Sequence, residues 1–272
     1  MARAAIENAC WDMTARINNI ALHELLGGTR MKIPCGVSIG IQNTPEQLLE
    51  KIRVEVEAGY RRIKIKIKPG WDYDILKLVR QTFPDITLSV DANSAYTLTD
   101  INLLKSLDEF NLLMIEQPLN HDDIVGHSHL QKQINTDICL DEPITSLDKT
   151  RKAIEMKSGR IINIKLGRVG GLSEAIKIHN YCEEHNIPVW CGGMLEAGIG
   201  RSHNIAMSTL PGFILPGDIS ASKRYFEEDI IEPPVTVNKD GFITILQISG
   251  TGYEPKEEYI ERITVRKEMF TA

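Results

Sequence analysis

The sequence predicts an α/β barrel of the TIM type, and three observations lead there. Short apolar runs recur, each delivering charged residues at its end: RIKIKIKPG around Lys66, TLSVDAN with Asp91, LLMIEQP with Glu116, DICLDEP with Asp141 and IINIKLGRVGG with Lys165. Those five residues are spaced by 25, 25, 25 and 24 positions, the length of one strand, one helix and their loops. The chain has 272 residues, close to the roughly 250 that one such barrel needs. Wrapped into a barrel, the period brings two lysines and three carboxylates to one mouth.

In order along the chain, residues 2–26 read as a helix and a short second one, ending at Gly27-Gly28. Ile6, Cys10, Met13 and Ile17 share one helical face, which is expected to be the buried one. Residues 31–41 form a strand. Thr44 is placed to cap a helix with Pro45 at its first position, and that helix runs to Gly59. Over 61–68, isoleucines alternate with charged residues, so Lys64, Lys66 and Lys68 share one strand face. Strands follow at 86–90, 112–115 and 138–140. After Lys165 come a helix over 170–185, a strand over 187–191, a helix over 202–209 and a short last strand at 213–215. From about residue 231 the pattern changes to short β segments and turns, expected as an appendage outside the barrel. The predicted divisions are a helical lead-in at 1–30, a barrel at 31–230 and a C-terminal β/turn segment at 231–272.

Bulk properties narrow the function. Hydrophobic residues make up 42% and charged residues 25%, as in an ordinary globular chain. A net charge of −6 argues against a general nucleic-acid or anionic-membrane surface. The amino terminus lacks an apolar signal core, and no run approaches the roughly 20 apolar residues of a membrane span. Five scattered cysteines without a CxxC fit reduced thiols, and a cytoplasmic location is expected. His121, His127 and His129 lack a zinc pattern and are expected at the surface.

Converging carboxylates repel one another without a cation, and hard oxygen ligands favour Mg2+, with Mn2+ as a substitute. Asp91, Glu116 and Asp141 are therefore the candidate metal ligands. The glycines at 192 and 193 are expected to let backbone amides approach a ligand.

The motifs GVSIGI, KIKPGWD, DANSAYTL, IEQPL, CLDEPI, NIKLGRVGG, WCGGMLEAGIGRS and LPGDISAS carry a resemblance. They resemble the enolase superfamily, in its muconate-lactonizing-enzyme-like branch and its subgroup of o-succinylbenzoate synthases and N-acylamino-acid racemases. The resemblance runs from about residue 3 to about residue 259. It implies a (β/α)7β barrel, and Mg2+ held by Asp91, Glu116 and Asp141. Lys66, Lys165 and Lys64 would be the catalytic lysines. Ser38, Asn93, Gly193 and Met194 would contact substrate.

The implied reaction is removal of the proton α to a carboxylate of a small molecule, with the enediolate stabilised by the metal. It leads either to dehydration of 2-succinyl-6-hydroxy-2,4-cyclohexadiene-1-carboxylate to 2-succinylbenzoate, in menaquinone biosynthesis, or to racemisation of an N-succinylamino acid. Relatives of this kind begin with a capping domain of roughly a hundred residues. Here the capping domain is expected to be incomplete, and the segment at 231–272 is the one that would pack on the missing cap. A homo-oligomer is expected, as is weak activity from an uncapped mouth.

Overall fold

The computed structural model describes residues 1–269. The last three positions of the expected C-terminal segment lie outside the described residues. Two helices lead in, α1 (Ala2–Ile17) and α2 (Leu22–Leu25), followed by strand β1 (Lys32–Pro34). Strand and helix then alternate: β2 (Gly36–Ile39), α3 (Pro45–Glu57), β3 (Arg62–Lys66), α4 (Tyr73–Thr82), β4 (Leu88–Asp91) and α5 (Ile101–Ser106). Next come β5 (Ile115–Glu116), α6 (Ile124–Gln131), β6 (Ile138–Leu140), α7 (Leu147–Glu155), β7 (Ile161–Ile164), α8 (Leu166–Val169), α9 (Leu172–Glu184), β8 (Val189–Cys191) and α10 (Gly198–Met207). The chain ends with β9 (Ile231–Glu232), β10 (Phe242–Thr244), β11 (Glu254–Pro255) and α11 (Glu257–Ile263).

Strands β2 to β8 pair in sequence order as one parallel sheet of seven. The ends of that sheet are joined by the segment around Gly217. Its amide donates to the Pro34 carbonyl at 3.2 Å, its carbonyl accepts from the Gly36 amide at 2.7 Å, and the Asp218 amide donates to the Cys191 carbonyl at 2.8 Å. The eighth barrel position is thus filled at Gly217-Asp218. The strand expected at 213–215 does not form. There Phe213 is buried in the core, and the Arg30 guanidinium takes its carbonyl.

Local signals explain most elements. Thr44 caps α3 through its hydroxyl, which accepts from the Gln47 amide at 3.3 Å, and Pro45 takes the first position. Strands β3 to β8 are buried along nearly their whole length, which suits a parallel sheet covered on both faces. In β3, Ile63 and Ile65 join the apolar core, and the alternate positions carry Arg62, Lys64 and Lys66. Lys68 lies beyond the strand and is exposed, so the predicted row of three lysines stops at two.

Helix α1 turns opposite to expectation. Its buried residues are Ala4, Asn8 and Ala15, whereas Ile6, Met13 and Ile17 are at least half exposed. Small residues win this face because α1 lies close against α8 and α9. Glu7 accepts from the Leu172 amide at 2.6 Å and the Ser173 amide at 2.9 Å, capping α9, whose own first residue offers no side-chain cap.

The C-terminal segment lies outside the seven-stranded sheet but packs on the barrel core. β10 pairs antiparallel with β1, and Ile231, Val235, Ile243, Ile245 and Tyr253 belong to the same core cluster as the barrel. Gly250 ties this segment to the turn between α1 and α2. His127, expected at the surface, is fully buried; its Nε2 accepts from the Leu119 amide at 3.2 Å. Among the described residues, no helix is long and apolar enough to cross a membrane.

The orientation of α1 yields a stability prediction. Ile6→Gln and Met13→Gln should each leave stability within about 0.5 kcal/mol. Ala15→Leu should cost about 1–3 kcal/mol by overpacking. Urea unfolding checks this, and a large loss in either glutamine variant would contradict the assignment of the exposed face.

Candidate active site at the barrel mouth

Each candidate charge owes its position to a strand end. The pairing register sets Lys66 beside Asp91 and Asp91 beside Glu116, all at the C-terminal ends of adjacent strands. Asp141 follows β6 directly and Lys165 follows β7 directly. β3 and β7 are separated by three strands on one side, and by β8, the closing segment and β2 on the other. Lys66 and Lys165 therefore approach from opposite sides of the barrel. Both line a cavity of about 260 Å³, together with Ser38, Lys64, Asp91 and Gly193.

The charges are extensively paired. Lys66 donates to Asp91 Oδ2 at 2.6 Å and to the Asn93 side-chain oxygen. Lys165 donates to Asp141 Oδ2 at 2.7 Å, and Arg168 to the other oxygen of that carboxylate. Lys64 Nζ lies 2.6 Å from Glu116, 2.7 Å from Asp218 and 3.5 Å from Asp91. Burial alone would push the Lys64 ammonium down, but Asp218, Glu116 and Asp91 outweigh it and hold its pKa above the ordinary lysine value. For Lys165 the same contest, against Asp141 and Glu116, also ends with the pKa raised. Burial raises the Glu116 carboxyl, with Asp91 and Asp141 adding to the rise, and Lys64 offsets this only in part.

Asp218 is the residue that sequence reasoning passed over. It follows Pro216 and Gly217 and reads as a turn. Yet one of its oxygens lies 2.6 Å from Arg62 and the other 2.7 Å from Lys64, and it lines the cavity. Burial would raise its carboxyl, but Arg62 and Lys64 hold it well below the usual range. Asn163 was also missed. It sits two residues before Lys165 and so points to the same side of β7, donating to Glu116 Oε1 at 2.8 Å.

The other expected residues fall near the cavity in different ways. Ser38 and Gly193 line it. Asn93 is bonded to Lys66 and donates to Glu142 at 3.3 Å. Met194 turns its amide to Glu196 at 2.9 Å, and it is Leu195, not Met194, that lines the cavity.

Whether the carboxylates fit a divalent cation follows from their chemistry and orientation. Asp91, Glu116 and Asp141 present only oxygens, from adjacent strands, at a site where mutual repulsion already adds to the rise of one carboxyl. That donor set suits a hard cation. As oriented, each carboxylate turns an oxygen to a lysine, and among the described residues no three acidic, His or Cys side chains are grouped so as to hold an ion.

Gly192 serves this site differently from expectation. A Cβ there would lie 2.3 Å from Asn163 Oδ1 and 2.5 Å from Lys165 Cε, so its role is to make room for side chains. Gly192→Ala should cost about 1–3 kcal/mol of stability. Gly40→Ala, where an added Cβ meets nothing within 4 Å, should stay within about 0.5 kcal/mol. Equal losses in thermal unfolding would contradict this account of Gly192.

Comparison with known proteins agrees with the geometry. Residues 47–259 match the family described as enolase C-terminal domain-like. The chain is 55% identical over 270 residues to the o-succinylbenzoate synthase of Geobacillus kaustophilus, covering 99% of this chain and 72% of that protein. It is 47% identical over 272 residues to the N-succinylamino acid racemase of Thermus thermophilus, covering 100% of this chain and 73% of that one. A crystal structure of an enolase superfamily member from Listeria innocua superposes with a TM-score of 0.93 at 46% identity, over 96% of this chain and 70% of that one. With that family match over most of its length and the curled parallel sheet of its barrel, the chain belongs to the enolase superfamily.

Proposed function

We propose that this chain is a dehydratase that forms 2-succinylbenzoate from 2-succinyl-6-hydroxy-2,4-cyclohexadiene-1-carboxylate. The observation that carries this reading is the pair of lysines lining one cavity from opposite sides, with Asp91 beside them. Relatives named o-succinylbenzoate synthase, at 50–55% identity over nearly the whole chain, supply the substrate class.

Lys66, as the free amine, takes the proton α to the substrate carboxylate and returns it to the departing hydroxyl as water forms. Lys165 stays a cation, held by Asp141, and stabilises the negative charge that develops across the ring. Lys64, buried among three carboxylates, balances charge and does not move protons. Asp91, Glu116 and Asp141 would hold Mg2+, which when bound supplies a Lewis acid for the substrate carboxylate. Asn163 and Lys64 orient Glu116, while Lys165 and Arg168 orient Asp141.

Racemisation of an N-succinylamino acid is the second reading. The same opposed lysines favour it, because each would serve one face of the α carbon. The full-length match to the Thermus thermophilus racemase supports it. Deuterium exchange at the α carbon of an N-succinylamino acid, measured beside the dehydration assay, separates the two activities.

Lys66→Ala should lower dehydration by roughly 10²- to 10⁴-fold with the fold intact. Turnover at the parent rate would reject the mechanism. Mg2+ at about 100 times its dissociation constant should stabilise the protein by about 2.7 kcal/mol. Asp141→Asn should largely lose that gain in a thermal melt. An equal Mg2+ shift in parent and variant would exclude Asp141 as a ligand.

A further inference from the structure

Arg201 is a cavity charge for which the chemistry above has no task. It is only 4% exposed, sits on α10, and lines the same cavity as Lys66 and Lys165. Its two terminal nitrogens donate to the Ser220 carbonyl at 2.5 Å and the Glu196 carbonyl at 2.8 Å, and the Tyr225 ring lies 5.1 Å from its guanidinium carbon. The other buried or half-buried cations of this region each hold a carboxylate: Arg62 pairs with Asp218, Lys64 with Glu116, Lys165 with Asp141 and Arg224 with Glu55. Among the described residues Arg201 forms no such ion pair.

The nearby acids are engaged elsewhere. Glu196 accepts from the Met194 amide, and Asp229 from the Gly198 and Ile230 amides and the Ser222 hydroxyl. A buried guanidinium whose direct contacts are carbonyl dipoles and a ring, with Asp229 and Glu196 near it but not paired with it, still carries a burial cost that a ligand anion would lower. Asn204, three residues along α10 and 2% exposed, lines the same cavity; its buried, unpartnered side-chain oxygen would accept from a donor, and its amide nitrogen is the group that could donate to a carboxylate. A substrate polar group is thus wanted beside α10 as well as beside the lysines.

We propose that Arg201, with Asn204 and Tyr225, forms a subsite for the second carboxylate of a dicarboxylate substrate, the one remote from the reacting carbon. This rests on the function proposed above, because both candidate substrates end in a succinyl carboxylate. The carboxylate next to the reacting carbon belongs at the lysine end.

The test compares two ligands of equal length, 2-succinylbenzoate and 2-butanoylbenzoate, in which a methyl group replaces the remote carboxylate. Calorimetry on the whole chain with Mg2+ should show the parent protein binding the succinyl compound at least about tenfold more tightly. Arg201→Gln should lose that preference while keeping its affinity for the butanoyl compound. Asn204→Asp, which sets a negative charge beside the subsite, should weaken the succinyl compound selectively and serves if the Arg201 variant does not fold. The proposal is overturned if the parent shows no preference, or if the substitutions weaken both ligands equally, as a purely structural role would. A parent that prefers the succinyl compound but turns over neither substrate keeps the subsite and rejects the reaction. One that turns over without preference keeps the reaction and rejects the subsite.

Discussion

The structure depends on Lys64. Its ammonium is buried at the centre of the barrel, with Glu116, Asp218 and Asp91 around it and the Trp190 ring 4.7 Å away. A lone charge there would be prohibitive, and so would three lone carboxylates. Together they bind β3, β4, β5 and the closing segment into one electrostatic unit. Removing one partner from such a buried set typically costs about 3–5 kcal/mol, because the others are left uncompensated. The barrel mouth is therefore held in register by the same charges that are proposed to serve its chemistry.

Around that centre the fold separates two tasks. The isoleucines of β3 and the other strands build the apolar core, while the alternate positions of β3 carry Arg62, Lys64 and Lys66. The strand ends then set two lysines across from each other. A site on rigid strands needs little ordering when a ligand enters, which suits a reaction that depends on placing one carbon between two amines. The cavity narrows the ligand to a small molecule. Arg201 and Asn204 add polarity to its lining that the lysines and their carboxylates do not account for.

Much of this was legible in the sequence, for identifiable reasons. The period of about 25 residues between strand-end charges specifies the barrel, and apolar runs ending in Asp91, Glu116, Asp141 and Lys165 mark the mouth. What escaped lacked an apolar run or relied on tertiary contact. Asp218 follows Pro216 and Gly217, so it reads as a turn, and only closure of the barrel brings it to Lys64. The exposed face of α1 misled because helical periodicity locates an apolar stripe without saying what covers it, while its close packing on α2, α8 and α9 favours small residues such as Ala4 and Ala15 on the buried face. The charged turns near the C-terminus concealed the residues that β1 draws into the core.

Asp91, Glu116 and Asp141 are proposed to hold one divalent cation together between Lys66 and Lys165, with Lys64 and Lys165 still orienting Glu116 and Asp141. Crystals grown with Mn2+ and measured for anomalous scattering test it most directly. The account predicts a single strong peak at the barrel mouth in contact with all three carboxylates. No peak there, or an ion touching fewer than three of the carboxylates, would contradict it.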